Sequence, residues 1–181
     1  YLIGSEKAYI LFDTGGHIVT DRNFDNRLER LRSQLKHLGC SADNLKLILL
    51  SHGDHDHSAN TQAIKTEFQV PVAMHPGDLP LVEAPTLELL MASFRYRKLG
   101  LKLTYRILSK VITTATEKAL NDFHPFTPEL LCVDGMRLDS YGTAGVVLHL
   151  PGHTPGSIGV RLDDGTLLAG DVFTNNSRPA M

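Results

Sequence analysis

Apolar positions along this 181-residue chain follow two different periods, and the change from one to the other outlines the elements. Near the start, Ala8–Phe12 carries few polar residues and reads as a mostly buried strand. A short strand over residues 1–3 precedes it, with Gly4-Ser5 at the turn. Asp13-Thr14-Gly15-Gly16 signals a loop. Phe24, Leu28, Leu31, Leu35 and Leu38 then recur at steps of three and four, which is the period of an amphipathic helix, and Gly39 supplies its stop. Residues 45–50 are too few for a helix and end in a run of apolar side chains, so they predict a buried strand. A helix over residues 59–67 and a strand over 70–74 follow. The first half therefore alternates β, α, β, α, β, the order of a sheet with parallel strands and helices packed on it.

Residues 78–130 break that alternation. Leu87, Leu90, Met91 and Phe94 form one helical face, and Leu101, Tyr105, Leu108 and Ile112 form another around Gly100. Pro125 and Pro128 close the stretch. It reads as a helical insertion between two strands, and it is weighed equally as a lid over a site and as extra packing. Strands return from residue 136. Residues 146–150 form one, Ile158–Leu162 and residues 166–169 flank the hairpin signal Asp163-Asp164-Gly165, and Gly170-Asp171 follows at the end of the last strand. One domain over residues 1–181 accounts for the whole chain.

Composition narrows the function classes. Apolar residues are 42% and charged residues 21%, the balance of a folded globular chain. With 18 Lys+Arg against 20 Asp+Glu, the net charge of -2 gives no reason to expect nucleic acid as a partner. The local basic run Arg95, Arg97, Lys98, Lys102 reads as a solvated helix face. Cys40 and Cys132 form no C-x-x-C pair, so they point to neither a redox nor a metal motif, and so small a number accords with a reducing, cytoplasmic setting. No apolar stretch approaches the ~20 residues a bilayer demands, and no membrane partner is expected. Residue 1 is Tyr and lies inside an expected strand, so the natural N-terminus is read as lying upstream.

The chemistry concentrates in Ser51-His52-Gly53-Asp54-His55-Asp56-His57, with three His and two Asp in seven positions. Imidazole and carboxylate are ligands for zinc, iron and manganese. The cluster directly follows a buried strand, which places it on a loop at the strand's C-terminal end, where ligands gather in α/β sheets. No G-x-S-x-G elbow and no phosphate-cradling glycine loop occurs, so a metal has to generate any nucleophile.

This segment resembles the His-x-His-x-Asp-His signature of the metallo-β-lactamase superfamily. Pro151-Gly152-His153-Thr154-Pro155-Gly156 is similar to that family's second motif, Leu168-Ala169-Gly170-Asp171 resembles its third, and Ile10-Leu11-Phe12-Asp13-Thr14-Gly15 resembles its early Asp-Thr-Gly turn. The four stand in the family's order and span nearly the whole chain. The resemblance implies an α+β fold, the αββα sandwich, here with a helical insertion. It also implies a first metal on His52, Asp54 and His153, a second on Asp56 and His57, and Asp171 as the bridge. Asp13 would either accept a hydrogen bond from a ligand His or serve as a turn residue.

Two departures qualify the expectation. Asp54 stands where the family usually has His. Shifting the frame to His55 and His57 would put the Asp-His pair at Ala59 and Asn60, so the first frame stands. A carboxylate there is a harder donor, which extends the expected cofactor from one or two Zn2+ ions to iron or manganese. The flavodiiron branch of the superfamily shares that feature. The family's later His ligand also has no counterpart before Met181, and the C-terminal part of the natural protein is read as absent, leaving pairing with a second copy as a homodimer in play. His55 is read as the variable residue turned away from the metals, His75 as a minor candidate for the cleft, and His149 as structural. His17, His37 and His124 carry no pattern.

The expected activity is hydrolysis of a small ester, thioester, lactone or related substrate by a metal-activated hydroxide, with Asp56 orienting the nucleophile or taking its proton. An iron-dependent oxidoreductase of the flavodiiron or persulfide-dioxygenase sort is the alternative. A non-catalytic binding module on the same fold is a third reading.

Overall fold

The computed structural model describes residues 1–5, 7–16, 26–93, 114, 117 and 120–172. Within them two sheets pack together. The first has the order β1 (Leu2–Ser5), β2 (Ala8–Phe12), β3 (Leu45–Leu49), β4 (Val72–Met74), β5 (Leu130–Leu131). β1 and β2 form an antiparallel hairpin, and β2 through β5 run parallel. The second is an antiparallel meander of β6 (Gly145–His149), β7 (Ile158–Leu162) and β8 (Leu167–Leu168). The helices are α1 (Arg27–His37), α2 (His55–Ser58), α3 (Thr61–Phe68), α4 (Leu79–Glu83) and α5 (Leu87–Ser93).

The side-chain period of two splits β2 and β3 between two cores. Leu11, Ile48, Val72 and Met74 face the helices and pack with Leu35 of α1, Ile64 and Phe68 of α3 and Val82 of α4. Ile10, Phe12, Leu47, Leu49 and Ala73 face the second sheet and pack with Val147, Ile158 and Val160. The described residues thus stack helices, sheet and sheet, the α, β, β layers of the expected sandwich. Leu47, Ile48 and Leu49 are fully buried on both faces, as a central parallel strand requires. The pairing with β2 jumps from Tyr9 opposite Leu45 to Ile10 opposite Leu47, and the residue passed over is the exposed Lys46. This bulge lets Leu45 and Leu47 belong to different cores.

The expected elements are present with shifted ends. β1 continues through Ser5, which pairs with Ala8, so the turn follows Ser5 instead of occupying Gly4-Ser5. α1 begins after Asn26, whose Oδ1 accepts from the Glu29 N–H at 3.2 Å, and it is followed by Gly39 at φ 74. Phe24 lies outside the described residues. So do Phe94 of the insertion's first face, the basic run of residues 95–102 and the second face of the insertion. What is described of residues 78–130 is helical at α4, α5 and residues 120–121, with Phe123 and Phe126 buried in the helix-side core. No helix among the described residues is long and apolar enough to cross a membrane.

Ile64 is fully buried between α3 and the first sheet. Ile64→Ala is expected to lower unfolding free energy by about 2–5 kcal/mol, read from urea denaturation. A loss under ~1 kcal/mol would show that α3 does not cover the sheet in this way.

Candidate metal centre

Three loops at one edge of the stacked sheets carry the six side chains that the sequence singles out. His52 and Asp54 leave the end of β3, and α2 opens directly after Asp54, so Asp56 and His57 sit on its first turns. His153 lies in the loop between β6 and β7, and Asp171 in the 3-10 turn Gly170–Val172 after β8. The Ile158 N–H donates to the Ser51 carbonyl at 2.8 Å and ties the second sheet to the first beside the site.

Two groups of ligand atoms converge. His52, Asp54 and His153 form one, and His52, His57 and Asp171 form the other. His153 Nε2 is 3.0 Å and His52 Nε2 3.7 Å from Asp54 Oδ2, while His57 Nε2 is 3.3 Å from Asp171 Oδ1. Asp171 turns its other oxygen to His153 Nε2, at 3.9 Å. Its two oxygens therefore reach one histidine of each group, the arrangement a bridging carboxylate needs. Asp56 belongs to neither group. Its Oδ2 is 3.9 Å from His57 Nε2, and its side chain is 55% exposed.

The donor set fits a divalent cation. Ligands ~2.0–2.2 Å from a zinc-sized ion at tetrahedral angles stand roughly 3.3–3.6 Å apart, the range these pairs straddle. Two further atoms support the fit: His52 Nε2 and Asp54 Oδ1 are buried and have no hydrogen-bond partner among the described residues. Leaving two such groups unmatched is costly unless a cation satisfies them.

Asp13 organises the histidines. Its Oδ1 accepts from the Ser51 N–H at 2.7 Å, and its Oδ2 accepts from the Ser51 hydroxyl at 2.8 Å and from His57 Nδ1–H at 2.9 Å. With its proton directed to Asp13, the Ser51 hydroxyl accepts from His52 Nδ1–H at 2.9 Å. Both rings thereby commit Nδ1 to donation and keep Nε2 for the cluster. Burial opposes charge on His57, but the hydrogen bond to Asp13 and the charges of Asp13, Asp56 and Asp171 outweigh it and push its pKa up to about 9. His52 moves the opposite way: burial and then the charge of His57 lower its pKa, which keeps the ring neutral as a ligand requires. The acidic surroundings of His57 invite a positive charge, and a proton or a metal ion can supply it.

A residue the sequence reading passed over, Asp78, is fully buried beneath the site. Its Oδ2 accepts from the Gly53 N–H at 3.0 Å and from the Thr154 hydroxyl at 2.6 Å, and its Oδ1 accepts from the Gly156 N–H at 2.7 Å. Glycine allows this closeness: a Cβ on Gly156 would stand 2.6 Å from Asp78 Cγ, and one on Gly53 would stand 2.6 Å from Leu81 Cβ. The only signal in the sequence was an acidic residue before Leu79-Pro80, which reads as a helix cap.

Three further histidines have other occupations. His55 packs on Phe123 at 4.5 Å between ring centroids, away from both clusters. His75 and His149 stack at 3.9 Å, with His149 Nε2–H donating to the Pro155 carbonyl at 2.9 Å. Two hollows open beside the ligands. One of 780 Å³ runs from Leu31 and Leu35 to Asp13, Asp56 and His57, and one of 390 Å³ is walled by Pro80, Leu81, Leu89 and Pro151 beside His153.

Comparison with known proteins bears on the family and the fold. The profile of the metallo-beta-lactamase superfamily matches residues 1–181. Among solved structures, the metallo-beta-lactamase family protein TTHA1429 from Thermus thermophilus is similar at 25% identity and a TM-score of 0.66, over 99% of this chain and 56% of that one. The metallo-beta-lactamase GOB-18 from Elizabethkingia meningoseptica is similar at 20% identity and a TM-score of 0.62, over 92% and 51%. BJP-1, a subclass B3 metallo-beta-lactamase of Bradyrhizobium japonicum, is similar at 20% identity and a TM-score of 0.62, over 90% and 49%. The chain thus spans about half the length of these solved relatives. A comparison with curated protein sequences gives no match. With four motifs in order, ligand atoms converging from three loops and a family match along its full length, the chain belongs to the metallo-beta-lactamase superfamily.

Proposed function

We propose that this protein is a metal-dependent hydrolase acting on a small ester, thioester, lactone or related molecule. His52, Asp54 and His153 would hold one divalent cation, and His57 and Asp171 would hold a second. The observation that supports this reading most is the convergence of ligand atoms from His52, Asp54 and His153, and from His52, His57 and Asp171, around a buried and unpartnered His52 Nε2. When bound, such a cation supplies Lewis acidity and lowers the pKa of a coordinated water to near ~7.

The chain's own residues do the rest. Asp13 and Ser51 fix the tautomers of His57 and His52, so neither ring must reorient to bind. Asp56, exposed at the rim beside His57, is the carboxylate free to hold the nucleophile's proton. To ligate the second cation as well, it would have to close the 3.9 Å gap to His57 Nε2. The apolar walls of the two hollows can take the organic part of a substrate and exclude water from it. Zinc suits this donor set. Asp54, a hard oxygen 3.0 Å from His153 Nε2, is the observation that favours a second reading, an iron-dependent oxidoreductase.

Elemental analysis separates these readings. About two equivalents of zinc or manganese, with turnover of thioesters or lactones, is the result expected of a dinuclear hydrolase. Tightly held iron with oxygen uptake would favour the oxidoreductase, and a protein that stays metal-free after reconstitution would rule out both. His52→Ala is expected to abolish metal uptake and hydrolysis together, since His52 belongs to both clusters. Full activity in that variant would sink the assignment. Asp56→Asn is expected to lower turnover by ~10²–10⁴ while cation content is retained. Asp13→Asn should weaken metal binding about 10–100-fold in a chelator competition, and unchanged affinity would show that the His57 tautomer needs no such support.

A further inference from the structure

Asp78 stands at the start of α4, where an aspartate ordinarily caps its own helix. Here it makes no cap hydrogen bond. Pro80, at the second helical position, has no N–H for a cap to accept. The carboxylate is therefore released from helix duty, and the three protein donors it accepts from belong to two other loops. Those donors are placed in a telling way. Gly53 is the residue between His52 and Asp54, and Thr154 follows His153 directly. One fully buried side chain is thus a single residue away from each of the three ligands of the first cluster.

We infer that Asp78 is the positioning residue of the first cation cluster, setting the separation between the loop of His52 and Asp54 and the loop of His153. The inference rests on the metal-dependent reading of the site. The second cluster has its own support, because Asp13 holds His57 and Ser51, and Gly170 lies so near Ser51 that a Cβ on it would stand 2.8 Å from Ser51 Cβ. Loss of Asp78 should therefore act unequally on the two cations. Thr154 shares the role through its hydroxyl, which is itself braced by the Ser157 hydroxyl at 2.8 Å.

The test is a cobalt(II) titration against a competing chelator, with the visible absorption of the bound ion recorded at each step. Asp78→Asn puts an amide where carboxylate oxygens accept three hydrogen bonds. It is expected to lower the affinity of one cobalt equivalent by ~10–100-fold and to alter its absorption band, with the other equivalent changed far less. Thr154→Val, which leaves the carboxylate and both backbone donors in place, should do the same in milder form and carries the test should Asp78→Asn fail to fold. Thr154→Ser keeps the hydroxyl and should restore the wild-type spectrum. Ile64→Ala measures destabilisation alone and should leave both affinities and the spectrum unchanged. Folded Asp78→Asn or Thr154→Val protein with wild-type affinity and spectrum would overturn the inference while leaving the hydrolase reading intact. Wild-type protein that takes up no cobalt would overturn the hydrolase reading, and this inference with it.

Discussion

Like groups crowd together at the edge of these two sheets, and the remainder of the site answers to their repulsion. Three imidazoles lie with ring centroids 4.2 Å (His52 and His57) and 4.8 Å (His52 and His153) apart, amid the carboxylates of Asp13, Asp54, Asp56 and Asp171. Carboxylates gathered this closely repel one another, most of all the largely covered Asp13 and Asp54, so the arrangement favours positive charge among them. The raised pKa of His57 answers that field, while burial first and the charge of His57 second lower the pKa of its neighbour His52. A divalent cation would meet the same demand and would give the buried His52 Nε2 the partner it lacks among the described residues.

Two carboxylates hold the crowd in place, Asp13 from within it and Asp78 from outside, and they work differently. Asp13 follows β2 with φ 61, and from there it reaches across to Ser51 and His57 on the loop after β3. It acts on the rings themselves by choosing which nitrogen donates. Asp78 touches no ligand. It accepts from backbone and hydroxyl donors next to the ligands and so governs how far apart two loops stand. The glycines beside it belong to the same device, since only a residue without Cβ lets the loops approach so near.

Much of this was legible from the chain. The strands over Ala8–Phe12 and Ile158–Leu162 match the pattern residue for residue, because each is a short apolar run bounded by turn residues. The candidate ligands were legible because His and Asp crowd into seven positions and because the later motifs resemble a known order. Strand ends were less so. β1 runs on through Ser5 since its pairing with Ala8 is decided across the hairpin, not by Gly4. The bulge at Lys46 was invisible for the same reason: a jump in register is a property of two strands.

The sequence by itself determined which chemistry is available. Residue types, their order and their place after buried strands depend on local pattern, and they sufficed for the family, the layers and the candidate ligands. Only the tertiary structure decided how those ligands are shared. That His52 stands within reach of both groups, that Asp56 stands at the rim, and that Asp171 offers an oxygen to each side are distances between loops far apart in sequence. Asp78 shows the difference most plainly. Locally it is an aspartate at the head of a helix, and nothing in Asp78-Leu79-Pro80 tells a cap from a brace. Its role arises because the fold brings Gly53, from 25 positions before it, and Thr154, from 76 positions after it, within hydrogen-bond reach of one buried carboxylate.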